Sequence, residues 1–111
     1  MTELAERLKF SSEQAALDQS DLARLLDTDP RTIGRWLQQE SSPRPDARER
    51  LLELIAVLDR LSGVLKPQAA HDWLLSPNPA LDHFKPVELL REGDYRTVLG
   101  AIDAMGEGVF L

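Results

Sequence analysis

The chain has 111 residues, a formal net charge of −6 at pH 7 and no cysteine, which excludes disulfides and thiolate metal sites. Its length suits one domain, or two very small ones that share a core. No apolar run approaches the roughly 20 residues that cross a bilayer, and the first ten residues lack the apolar stretch of a signal peptide. We therefore expect a cytoplasmic protein. Because a net negative charge repels DNA, any DNA contact would have to come from a local basic patch.

The N-terminal residues have the spacing of helices. Valine, isoleucine and threonine never alternate over the length of a strand, so no β-sheet is predicted. Leu4 and Leu8 predict a short first helix. Ser11 or Ser12 is predicted to cap a second helical turn that reaches Leu17. The fold class predicted from this pattern, which continues along the chain, is all-α.

Two capped helices follow in close succession. Asp18 predicts the N-cap of a helix over residues 19–26. Asp29 followed by Pro30 predicts a second helix from residue 30 to about residue 38, because proline has no N–H to leave unpaired at a first helical position. The short break between them has the length of the turn in a helix-turn-helix motif.

The internal pattern of this helix pair is that of a DNA-binding motif. The predicted inner face consists of Leu22, Ala23, Leu26, Ile33 and Trp36. The outward side chains, which we predict to contact phosphates and base edges, are Arg31, Thr32, Arg35 and Gln38. Asp27 occupies a turn position that usually holds glycine, and aspartate tolerates the left-handed conformation. The alternative is a solvated face on a generic helical hairpin, and the combined register of the apolar residues favours DNA binding.

A proline-rich stretch over residues 41–45 predicts the junction between a helix-turn-helix domain (1–45) and a second helical domain (46–111). A long helix from about residue 47 to residue 65 opens the second domain. Its apolar residues form a double stripe: Leu51, Leu54, Ile55, Leu58, Leu61 and Leu65. Because this stripe is wider than one small core needs, we predict a homodimer held through the second domain, with this helix as a candidate interface.

Prolines and glycines divide the rest of the chain into short helices. Predicted helix starts are at Pro67, at Asn78-Pro79, at Pro86 and after Asp94. The last helix is predicted to run from residue 95 to about residue 105, where Gly106 and Gly108 end it. The apolar tail that follows, residues 109–111, either folds back onto its own core or inserts into a partner, and its chemistry leaves both options open.

The segment from Trp73 onward resembles the toxin-binding domain of the Xre/MbcA/ParS-like antitoxins. In chain order, the matching residues are Trp73-Leu74, Pro77-Asn78, Leu81, Pro86, Leu89-Leu90, Gly93, Val98 and Ile102. With the helix-turn-helix and the long helix, the resemblance covers most of the chain after Phe10. It implies a homodimeric antitoxin that binds a RES-domain toxin, a class that consumes NAD or uses it for ADP-ribosylation. It also implies that the antitoxin's end covers the toxin's substrate cleft and that the operon is autorepressed.

The toxin-binding residues that this resemblance implies are Trp73, Pro77, Asn78, Lys85, Glu107, Gly108, Val109, Phe110 and Leu111. Tryptophan is usually buried, so Trp73 is also predicted as a core residue. Phe110 would enter a pocket on the toxin. Glu107 and the terminal carboxylate would then stand where the phosphates of an anionic dinucleotide sit.

The sequence contains no recognisable catalytic pattern. His71 and His83 show no metal-binding spacing, and there is no phosphate-binding glycine loop or nucleophile elbow. We therefore expect a non-enzymatic protein without metal or cofactor. One alternative function is a stand-alone helix-turn-helix regulator whose second domain dimerises or binds a small ligand. Another is a purely structural interaction module.

Overall fold

The structure is a computed structural model that describes residues 2–108, and all regular structure in that range is helical. The elements are α1 (Thr2–Glu13), α2 (Gln19–Leu25), α3 (Pro30–Leu37), α4 (Pro45–Ser62), α5 (Pro67–Leu75), a 3-10 helix (Pro79–Leu81), α6 (Pro86–Arg91) and α7 (Tyr95–Gly108). The predicted all-α class is thereby confirmed. None of the described helices is long and apolar enough to cross a membrane.

The capping residues start α2 and α3 as predicted. An Asp18 carboxylate oxygen accepts the N–H of Asp21 at 2.9 Å, and the Asp21 carboxylate accepts the N–H of Asp18 at 3.0 Å. This reciprocal capping box pairs two backbone donors that the helix itself leaves free. Asp29 accepts the N–H of Arg31 at 2.7 Å, directly after Pro30 at the first helical position.

The first helix differs from the prediction. Ser11 and Ser12 do not cap a new turn, because both lie buried in the last turn of a single helix α1. The Ser12 hydroxyl donates to the carbonyl of Lys9 at 2.8 Å, and the Ser11 hydroxyl donates to Asp59 on α4 at 3.0 Å. Helix α1 ends at Glu13, and the chain then turns at Ala16, which has a left-handed φ of 51°.

Helix α4 is the centre of the core and packs against α1, α5 and α7. Its buried side chains, each at most 1% exposed, are Leu51, Leu54, Ile55, Val57, Leu58 and Leu61. The double stripe is therefore covered by the chain's own helices, and only Leu65, beyond the end of α4, is half-buried. The argument that this helix must pack against a second copy is wrong, and the homodimer stays a prediction without it.

One core serves both predicted domains. The cluster of buried residues contains Leu8 of α1 and Ile33 of α3 together with Val87 of α6 and Ile102 of α7. Helices α2 and α6, which come from opposite sides of the predicted junction, are in direct contact. Neither the predicted helix-turn-helix segment nor the predicted second domain is packed in isolation.

Helix α7 continues past its predicted end. Gly106 does not end the helix, which runs through Gly108. Ile102 is buried and Met105 packs against the core, so tertiary packing outweighs the roughly 1 kcal/mol by which glycine disfavours a helix. Residues 109–111, the predicted toxin-binding tail, lie outside the described residues.

Candidate functional site

Helix α3 presents the predicted DNA-contacting face. Arg31, Arg35 and Gln38 are exposed, and Thr32 is half-buried. Arg31, Arg35 and Gln38 follow one another at spacings of four and three residues, so they share one side of the helix. Within residues 2–108 neither guanidinium forms an ion pair with a carboxylate of the same chain. Both arginines therefore keep their charge available for a polyanion.

The opposite side of α3 fixes its position. Ile33 is fully buried, and the half-buried Trp36 packs against the core. The amide of Gln19, at the start of α2, donates to the carbonyl of Pro30 at 3.4 Å. A Cβ atom at Gly34 would lie 3.0 Å from the same amide nitrogen, so glycine allows this close crossing of α2 and α3.

The turn between α2 and α3 is bound to α6. Asp27 has a left-handed φ of 53°, as predicted for the position that usually holds glycine. Its carboxylate pairs with the Arg91 guanidinium of α6 at 2.9 Å. The hydrogen bond from Arg91, and its charge, hold the pKa of Asp27 below the ordinary value. The turn is therefore tied to α6 by a residue that the sequence did not single out.

Arg50 is a second connection that the sequence analysis missed. It extends from α4 and donates to the carbonyls of Leu90 and Arg91 at 3.0 and 2.6 Å. These carbonyls lie at the end of α6, where intrahelical partners are lacking. The Tyr95 hydroxyl donates to the Arg50 carbonyl at 3.3 Å, so α4, α6 and α7 meet around one arginine.

The predicted toxin-binding residues of the second domain fall into different environments. Trp73 is half-buried and packs against the core, which agrees with a largely structural role. Pro77 is exposed, whereas Asn78 and Lys85 are half-buried. Pro77, Asn78 and Lys85 belong to the segment between α5 and α6, so the fold places them on one loop.

Asn78 organises this loop. Its side-chain oxygen accepts the N–H of Ala80 at 2.9 Å, and its carbonyl accepts those of Leu81 and His83, both at 2.9 Å. Its own N–H donates to the carbonyl of Phe84 at 3.1 Å, which closes the loop. Phe84, which was not predicted as a site residue, is 54% exposed at the end of this closed loop.

Glu107 belongs to another surface feature. It lines an open cleft of about 510 Å³ between the ends of α4 and α7, together with Arg60, Val64, Asp103 and Gly106. An ion pair of 3.3 Å joins Arg60 and Asp103 beside it. Gly108 is the last residue of α7. Val109, Phe110 and Leu111 lie outside the described residues.

The two histidines have separate surroundings. His71 on α5 places its Nδ1 atom 3.1 Å from the carbonyl of Ala16 and 4.0 Å from the carboxylate of Asp21. His83 is exposed on the loop between α5 and α6. Among the described residues, no group of three or more histidine, aspartate or glutamate side chains is placed to hold a metal ion.

Comparisons with known proteins agree with this architecture. Residues 56–108 match the antitoxin Xre/MbcA/ParS C-terminal toxin-binding domain. The mycobacterial cidal antitoxin MbcA of Mycobacterium tuberculosis is 39% identical over 108 residues, which cover 97% of this chain and 96% of the relative. MbcA of Mycobacterium bovis has the same identity and coverage.

The fold is also similar to that of a solved relative. A chain in the crystal structure of the M. tuberculosis MbcT–MbcA toxin–antitoxin complex superposes with a TM-score of 0.86 at 39% identity, and 97% of each chain is covered. The sequence match and the fold match therefore extend over nearly the whole length of the chain. The chain belongs to the Xre/MbcA/ParS antitoxin family.

Proposed function

We propose that this chain is the antitoxin of a toxin–antitoxin system, which inhibits a RES-domain toxin and represses its own operon. The observation that carries the proposal is the similarity, over 97% of both chains, to a component of a solved toxin–antitoxin complex. The match of residues 56–108 to a toxin-binding domain supports a toxin contact in the second half of the chain. No catalytic role is proposed for this chain.

The toxin would be inhibited by steric occlusion. The resemblance implies a toxin that consumes NAD, or uses it for ADP-ribosylation, and whose substrate cleft is covered by the antitoxin. Glu107 and residues 109–111 follow the last core contacts of α7 and would be the covering segment. Glu107 carries a negative charge that suits a phosphate-binding arginine on the toxin. NAD and operon DNA are both cytoplasmic, so the proposed location is the cytoplasm.

Operator binding would use α3. Arg31, Arg35 and Gln38 form an exposed face within a chain whose net charge is −6, so attraction to DNA is local to this helix. Operators of helix-turn-helix proteins usually contain two half-sites. We therefore propose a homodimer on DNA, with an interface other than the buried stripe of α4.

Co-expression with the product of the adjacent gene tests the proposal. The chain should co-purify with that toxin, restore growth of cells that express it and suppress its NAD consumption in vitro. If this chain neither binds the adjacent gene product nor protects the cells, the antitoxin assignment is wrong. Operator binding by such a chain would instead indicate a stand-alone regulator.

A further inference from the structure

Phe84 stands out among the apolar residues of the surface. The exposed large apolar side chains among the described residues are Phe84, at 54%, and Phe10, at 61%. Single exposed apolar residues are common on protein surfaces, so exposure alone indicates nothing. The difference lies in the backbone, because Phe10 is on the regular helix α1 and Phe84 is held by an unusual loop.

The loop before Phe84 contains two consecutive non-glycine residues in the left-handed conformation, which is uncommon even though each type tolerates it singly. Asp82 and His83 are consecutive and have left-handed φ angles of 53° and 66°. Such a pair of non-glycine residues persists only where the surroundings enforce it, and strained backbone of this kind is concentrated at binding sites. Here the carbonyl and the N–H of Asn78 enforce it, through hydrogen bonds to His83 and Phe84.

Phe84 is therefore preorganised. Its N–H donates to the carbonyl of Leu81 at 3.0 Å, and its carbonyl accepts from Asn78, so both main-chain groups are fixed. Two residues later, Pro86 is buried at the first position of α6, so the loop ends on a fixed helix start. An aromatic side chain on a fixed backbone loses little conformational entropy when a partner covers it.

We propose that Phe84 is the apolar anchor of the toxin contact and inserts into a pocket on the toxin; this rests on the proposed antitoxin function. Phe84 lies inside residues 56–108, which match the toxin-binding domain, whereas Phe10 lies outside that match. Asp82, His83 and Glu88 are exposed and close to Phe84 in the chain, and we expect them to form the polar rim that interfaces have around an apolar centre.

The test uses the full chain and the RES-domain toxin encoded beside it, immobilised for binding kinetics. Phe84→Ala should weaken the Kd by about 30-fold or more, mostly through faster dissociation. The Tm and the circular dichroism spectrum should stay those of the wild type, because the ring is exposed. Phe10→Ala is the matched control and should bind the toxin like the wild type.

Phe84→Lys tests the contact independently of any loosening of the loop by alanine. An exposed lysine is compatible with the fold, but a charged group is excluded from an apolar pocket, so toxin binding should again be lost. Wild-type affinity of both folded variants would overturn the inference while the antitoxin function stands. Loss of self-association with intact toxin binding would assign Phe84 to a second copy of the chain and overturn it too. Failure of the wild type to bind the toxin would refute the proposed function, and the inference with it.

Discussion

The DNA-binding proposal depends on two arginines of α3. Arg31 and Arg35 are exposed, share one side of the helix and form no ion pair within residues 2–108. Replacing either by alanine therefore removes a charge from the surface without breaking an internal contact. We expect Arg31→Ala, Arg35→Ala and the double variant to keep the wild-type Tm.

The expected losses follow from the kind of contact. A guanidinium that contacts only phosphate contributes about 0.9 to the slope of log K against log salt. Because the proposed DNA-bound dimer carries four such groups, the double variant should lower this slope by about 3.6. A guanidinium that also reads a base edge contributes about 1–3 kcal/mol, or roughly 5- to 150-fold in affinity for the operator alone. Fluorescence anisotropy at several salt concentrations, with operator DNA and with unrelated DNA of equal length, separates the two contributions.

The matched control is Arg60→Ala, which removes the same charge from the far end of α4, where the guanidinium pairs with Asp103. This variant should retain nearly the wild-type affinity and salt slope. If the Arg31→Ala/Arg35→Ala double variant binds operator DNA with an unchanged slope, α3 is not the DNA-contacting surface. A loss of equal size in Arg60→Ala would show that net charge, rather than the α3 face, governs binding.

Three further predictions concern stability. Leu58→Ala removes a fully buried side chain of α4 and should lower the free energy of unfolding, measured by urea denaturation, by about 2–5 kcal/mol. Leu52→Ala, at a half-buried position of the same helix, should lower it less. A loss that depends on protein concentration would contradict burial within one chain. Arg91 lowers the pKa of Asp27 below its ordinary value of 3.8. The stability that this pair contributes should therefore be present above pH 3.8 and be lost as the pH falls below it, and Asp27→Asn should remove this part of the acid dependence. Burial raises the pKa of Tyr95 above its ordinary value of 10.0, so the unfolded chain ionises at a lower pH than the folded one. The wild type should therefore lose stability relative to Tyr95→Phe as the pH rises past 10, and identical pH profiles of the two proteins would refute the assigned cause.

Local signals were sufficient to predict where most helices begin. A capping carboxylate or a proline at the first helical position acts on backbone groups two or three residues away, so Asp18, Asp29-Pro30, Pro67 and Pro86 mark helix starts without any tertiary information. Asp27 was interpretable for the same reason, because the turn itself requires a left-handed residue.

Signals that depend on tertiary partners were ambiguous. The apolar period of α4 predicts which face is buried but not what covers it, so a face covered by α1, α5 and α7 was interpreted as a dimer interface. Ser11 has the chemistry of a cap, yet its hydroxyl pairs with Asp59, which is 48 positions away in the sequence. Gly106 has the chemistry of a helix end but faces Val64, where packing maintains the helix.

The candidate site was predictable only in part, for the same physical reason. The face of α3 follows from helical periodicity, so Arg31 and Arg35 could be assigned from spacing. Phe84 could not be assigned, because the left-handed conformations of Asp82 and His83 have no glycine to signal them. Arg50 has the pattern of an ordinary charged position on α4, and only the fold shows that it binds the end of α6.

The end of α7 determines how the covering segment should be tested. A variant that ends at Met105 would remove Gly106 and Glu107, which line the cleft beside α4, and would therefore disturb the fold as well as the tail. A variant that ends at Gly108 keeps the whole helix and removes residues 109–111 only.

If Phe110 enters a toxin pocket, its burial contributes on the order of 1.5–3 kcal/mol, which is small beside a domain-sized interface. The shortened chain should therefore still co-purify with the toxin, bind operator DNA like the wild type and yet leave NAD consumption largely uninhibited. This pattern is the reverse of the one expected for Phe84→Ala, where affinity falls and any bound complex stays inhibited. Full inhibition by the variant that ends at Gly108 would exclude the tail as the covering segment and assign inhibition to the surface between Trp73 and Lys85.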